Sequence, residues 1–197
     1  MTITELYERM SSKDFQDPAT GNLFSNAYMY LYDPEDENRI REEIQVIKER
    51  LKRPSNYLDV LILDIFEVFC DFLKVRKFGQ KNMFDFFLER EVHTPEKVNE
   101  SLIREAKTDA FFKFVDDRIK AHFEEGDPEL KVYVLIHGFG AIYPYLRTSK
   151  FLNNFEKYFI GEKYKLILFY PGEVKDYYSL FKLLNDENPY RAIKLIN

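Results

Sequence analysis

The stretch KVYVLIHGFGAIYPYLRTSKFLNNF, residues 131 to 155, decides how the chain is read. Its first seven residues are apolar at nearly every position and rich in Val and Ile, which predicts a buried strand over 131–137. Gly138 and Gly140 follow, one residue apart, and Pro144 stiffens the turn. Phe151, Leu152, Phe155 and Phe159 then recur at helical spacing, with Thr148 or Ser149 available as the cap. Strand, glycine turn and helix in that order is the unit in which α/β folds place a phosphate loop. Whether this turn is one is the functional question.

The unit recurs along the chain. AYMYLY, residues 27–32, runs into Asp33-Pro34, a helix start. Ile40, Ile44, Ile47 and Leu51 form one helical stripe. LDVLIL, residues 58–63, reads as a second strand, and Asp64 with Glu67 resembles a capping box before Ile65, Phe69, Phe72 and Leu73. KLILFYP, residues 165–171, is a fourth strand. Asp176 then opens a predicted helix carrying Tyr177, Leu180, Phe181 and Leu184, and RAIKLI near the C-terminus is a last, edge strand. Residues 80–126 read as helical, with a first segment carrying Met83, Phe86, Phe87 and Leu88 and a second start at Thr94-Pro95, and either cross over the sheet or form a lid beside it. Residues 1–26 are a short helix and an irregular connector. The expected fold is a single α/β domain over 1–197: a mostly parallel sheet of about five strands, helices on both faces, a Rossmann-like or degenerate P-loop-like three-layer sandwich.

Composition narrows the function. The 197 residues are 45% hydrophobic and 32% charged, a globular composition. Nineteen Phe and 14 Tyr, with no Trp, supply the bulk of the core. A net charge of −5 argues against broad DNA binding, which needs a basic face. One cysteine, Cys70, excludes an intrachain disulfide and a multi-cysteine zinc site, and it reads as a packing residue. No apolar run reaches the ~18 residues of a membrane span, and the N-terminus lacks the apolar core of a signal peptide. The expected compartment is the cytoplasm.

In an open α/β sheet, functional groups gather beyond the carboxyl ends of the strands. Those ends carry Asp33, Asp64, His137-Gly138 and Pro171-Gly172-Glu173. A Walker loop needs a glycine just before its Lys-Ser/Thr; here Arg147-Thr148 has none, and the dinucleotide fingerprint has Tyr143 where its third glycine belongs. The glycines then serve the turn itself. Arg147 either closes an ion pair with Asp33, Asp64 or Glu173 or meets a ligand or partner. No nucleophile elbow is present, and His137 reads as a strand-end residue rather than a base. Asp33 and Asp64 serve as caps rather than metal ligands, and the mixed charges of EDENRIREE, residues 35–43, read as a solvated helix face. Asn153 and Asn154 are poor helix formers in an apolar helix, and either bond the preceding loop or face a partner. Tyr143, Tyr145, Tyr170, Tyr177 and Tyr178 are expected near the same region, as residues suited to an interface.

The order of these features resembles the BrxB family of BREX (bacteriophage exclusion) systems. The resemblance is carried by Gly138 and Gly140, Tyr143-Pro144-Tyr145, Arg147-Thr148, Leu152-Asn153-Asn154 and Phe169-Tyr170-Pro171-Gly172-Glu173, with Tyr32-Asp33-Pro34 and LDVLILDIFEVF (58–69) before them. It implies a small component of a multi-protein defence system that marks host DNA and blocks phage replication. Its implied companions are an alkaline-phosphatase-like protein, an adenine DNA methyltransferase and a large ATPase. It implies no catalytic activity and no cofactor. The expectation is an adaptor whose docking surface comprises residues 138–154, the 171–173 turn and Asp33, with the phosphatase-like protein as first partner. The rival is a nucleotide- or phosphate-binding sensor or enzyme at the same edge.

Overall fold

The computed structural model describes residues 2–16, 27–159, 163–174, 178–185 and 193–194. Five strands form a parallel sheet: β1 (Ala27–Tyr32), β2 (Leu58–Asp64), β5 (Lys131–His137), β6 (Tyr164–Val174) and β9 (Ile193–Lys194), in the order β2-β5-β6-β1-β9. The strands are apolar nearly throughout because both faces are covered, as in other parallel sheets.

Alternation along each strand sorts its side chains into two cores. Tyr28, Tyr30 and Tyr32 of β1, Tyr133 and Leu135 of β5, and Ile167 and Phe169 of β6 point to one face. There they meet Leu6 and Met10 of α1 (Ile3–Ser11), Phe15 of α2 (Lys13–Gln16), and the Ile40, Ile44, Ile47, Leu51 stripe of α3 (Glu37–Leu51). All four stripe residues are buried, each contributing about 1.5–3 kcal/mol by the usual transfer scale. Helix α3 joins β1 to β2 and so spans the two strands between them.

The opposite face takes Val132, Val134, Ile136, Leu166 and Leu168. It is covered by α4 (Ile65–Val75), α5 (Met83–Glu91), α6 (Pro95–Glu105), α7 (Asp109–Glu125), α8 (Phe139–Ile142) and α9 (Thr148–Phe155). The Phe excess concentrates here: Phe111 has no exposure and packs on Phe69 and Phe72 at 5.3 Å and on Phe112 at 5.8 Å.

Four local readings change. The connector contains α2, a single turn, while residues 17–26 lie outside the described residues. The 80–126 stretch holds three helices, not two, because Thr108 caps a new start by accepting from the Phe111 amide. It is entered through a hairpin of β3 (Lys77–Phe78) and β4 (Lys81–Asn82). Asp176 and Tyr177 lie outside the described residues, but the expected helix through Leu180, Phe181 and Leu184 is replaced by a second hairpin, β7 (Tyr178–Leu180) and β8 (Leu184–Asn185). Finally, Pro171, Gly172 and Glu173 do not turn. They prolong β6, which pairs antiparallel with β7.

Candidate functional site: the carboxyl edge

The strand ends bring Asp64 and His137 side by side, as register partners on β2 and β5. Asp64 caps α4, its Oδ1 accepting from the amides of Phe66 (2.9 Å) and Glu67 (3.3 Å). Its Oδ2 faces Arg41 at 3.2 Å and His137 Nδ1 at 3.6 Å. His137 is buried, and burial holds its imidazole below the ordinary value against the opposing pull of Asp64. Tyr32 donates to Glu37, and burial followed by that bond pushes its hydroxyl well above the ordinary range. Glu37 and Arg41, one turn apart on α3, therefore turn inward to the strand ends. The reading of 35–43 as a solvated face holds for Glu35, Asn38, Arg39, Arg41 and Glu42, which are exposed. What it does not foresee is that Glu37 and Arg41, which border the buried Ile40 and Ile44, also reach the strand ends.

Gly138 needs its glycine twice over. It sits at φ +85°, and a Cβ there would lie 2.4 Å from Asp64 Oδ1. Gly140 has a different reason. A Cβ would meet the Phe181 ring at 3.0 Å and Pro171 Cγ at 3.4 Å. Phe181 stands edge-on to Tyr143, centroids 6.2 Å apart. Lys182, beside it, pairs with Asp33, which also caps the 3₁₀ turn Pro34–Asp36. The β7–β8 hairpin thus lies across the carboxyl edge, with Leu180, Phe181 and Leu184 packed on Met29, Leu31 and Tyr170. Gly172 admits it: a Cβ would fall 2.1 Å from Ser179 O. Sequence reasoning missed Phe181 and Lys182 because it placed them in a helix.

Other expected site residues separate. Arg147 occupies the N-cap position of α9, half-buried and engaged with its surroundings, while Thr148 and Ser149 are buried inside the first turn. Neither hydroxyl caps that helix, which corrects the assignment. Asp33 and Asp64 have Lys182 and Arg41 as cationic partners. Asn153 and Asn154 are exposed, and Asn154 Nδ2 donates to Lys150 O of its own helix at 2.7 Å. The tyrosines disperse: Tyr143 turns to Phe181, Tyr145 to Phe69 at 6.4 Å, and Tyr170 is buried in the sheet. Tyr177 lies outside the described residues, and Tyr178 is described by its backbone alone. Pro144, reached through a cis peptide, is exposed. Among the described residues no group of three or more His, Cys, Asp or Glu side chains is placed to hold a metal ion, and no helix is long and apolar enough to cross a membrane.

The family model for "BREX protein BrxB" matches residues 61–195, from the second strand through the last. The chain belongs to the BrxB family. It is also similar to the BREX protein BrxB of Bacillus cereus (strain H3081.97), with 28% identity over 178 residues, covering 86% of this chain and 83% of the relative. No solved structure matches it. The BrxB match includes Gly138, Gly140, Arg147 and the β6–β7–β8 ribbon that fills the edge.

Proposed function

We propose that this BrxB-family chain is a non-catalytic docking subunit of a BREX phage-defence system, acting in the cytoplasm. The observation that carries the reading is Phe181 against Gly140 and Pro171, with Lys182 on Asp33. A nucleotide-type crevice is filled by the chain's own hairpin, so the second glycine accommodates an aromatic ring where a phosphate loop would accommodate phosphate. What the segment offers outward is Pro144, the face of α9 with Asn153 and Asn154, and the half-buried Arg147 and Glu173 at its border. An exposed polar face bordered by tyrosine and arginine suits a protein partner. The partner we assign first is the alkaline-phosphatase-like subunit, with the adenine DNA methyltransferase second.

Affinity capture of the tagged chain from cells carrying the whole system tests this. Asn153→Arg with Asn154→Arg puts two charges on an exposed face without touching the core, and should abolish capture of the phosphatase-like subunit while leaving the far-UV circular dichroism unchanged. Equal capture by the folded double variant would remove α9 from the interface. Failure of the unmodified chain to capture either companion at low salt would end the docking reading.

A further inference from the structure

At the opposite, amino-terminal edge of the sheet, a cleft of about 610 Å³ opens between the end of α7, the 126–130 turn and the start of β6. That volume is in the range of small-molecule sites. Ile119, Phe123, Val132 and Tyr164 give it apolar and aromatic walls. On one side His122 Nε2 lies 2.7 Å from Asp59 Oδ2, with Lys52 3.6 Å from the other oxygen. None of these residues belongs to the carboxyl edge.

Two polar groups there are incompletely matched. Asp116 is 3% exposed, and its only ion-pair partner among the described residues is Lys120, 2.5 Å from Oδ2. No other hydrogen bond reaches its carboxylate among those residues. Tyr164 is 6% exposed, and its hydroxyl has no hydrogen-bond partner among the described residues. Buried tyrosine hydroxyls ordinarily find one. Burial first, and then the Asp116 charge, raise the affinity of that hydroxyl for its proton. Four carboxylates line the cleft, Asp59, Asp116, Glu124 and Asp127, against Lys120 and Lys163.

We propose that this cleft binds a small organic cation, a primary amine or guanidinium on an apolar body. Its N–H groups donate to Asp116 and to the Tyr164 hydroxyl oxygen, and its body lies against Phe123 and Tyr164, whose ring faces favour a cation. An anion would meet a lining of four carboxylates against two lysines, whose excess of negative charge repels it.

Titration calorimetry of the full chain with agmatine and 1,5-diaminopentane tests the assignment, with hexanoate as the anionic control. One saturable site is expected for the diamine or agmatine, and none for hexanoate. Tyr164→Phe keeps the ring and the packing and removes only the oxygen; it should weaken binding severalfold. Asp116→Asn should weaken it about tenfold or more, the size of a lost charge-assisted hydrogen bond. No saturable heat at millimolar cation overturns the proposal. So does equal binding by folded Tyr164→Phe, which marks diffuse attraction to an acidic protein, and so does equal binding of hexanoate.

Discussion

Position 138 combines a left-handed backbone with a carboxylate oxygen where a side chain would begin. Gly138→Ala is therefore expected to cost about 1–3 kcal/mol, strain and displacement of the α4 cap together, seen as a lower urea midpoint at unchanged slope. His137, its neighbour, makes stability depend on pH. The groups facing it are Asp64, Arg41, Glu37 and Glu67, and burial dominates, so its native-state pKa is depressed. An unfolded histidine titrates near ~6.5. Just below that pH the unfolded chain binds a proton that the native chain refuses, so stability falls as pH falls through this window. His137→Gln should flatten the change in urea midpoint between about pH 7.5 and 5.5. At this scale the sequence was legible in residue type and not in cause. Both glycines were visible as turn residues, but only the neighbours at Asp64 and Phe181 explain them.

The elements divide by how local their signals are. Helix α3 was readable because Pro34, an acidic first turn and a four-residue stripe agree. The β7–β8 hairpin was not. Leu180, Phe181 and Leu184 have helical spacing, and the turn lacks the Asn-Gly signal that marks hairpins. Instead Phe181 and Lys182 adopt φ 55° and 61°, left-handed values that ordinary residues hold only under tertiary constraint. The constraint is visible in the pairing of Gly172 with Leu180 and in the Lys182–Asp33 contact. Phe181→Ala should free the hairpin selectively: amide exchange at Ser179 and Leu180 accelerates, while β5 and β2 amides keep their protection. Phe111→Ala, by contrast, opens the aromatic core beneath α4 and α7 and should cost about 3–5 kcal/mol of global stability in urea.

As a whole, the molecule is an α/β sheet with two cores, one on each face, and this was the most legible level. Strand after strand carries a continuous apolar run, and only burial on both faces accommodates that. The sequence could not disclose which groups would converge at the strand ends, because that depends on α3 carrying Glu37 and Arg41 back over the sheet and on where the last hairpin comes to rest. The corresponding test is made on the intact chain. Magnesium with ATP, GTP or NAD at millimolar concentration should leave the melting temperature unchanged, whereas a ligand at a hundred times its dissociation constant would add about 2.7 kcal/mol. A clear rise would restore the nucleotide reading. The hairpin also has a kinetic and competitive meaning. Because Phe181 and Lys182 are tethered to β6, they confront the crevice at an effective concentration on the order of millimolar or above. A solute of modest affinity and micromolar abundance faces a rival that never diffuses away. The edge is held closed by connectivity, and the partner proposed above would have to outcompete the tether or bind the closed face as it stands.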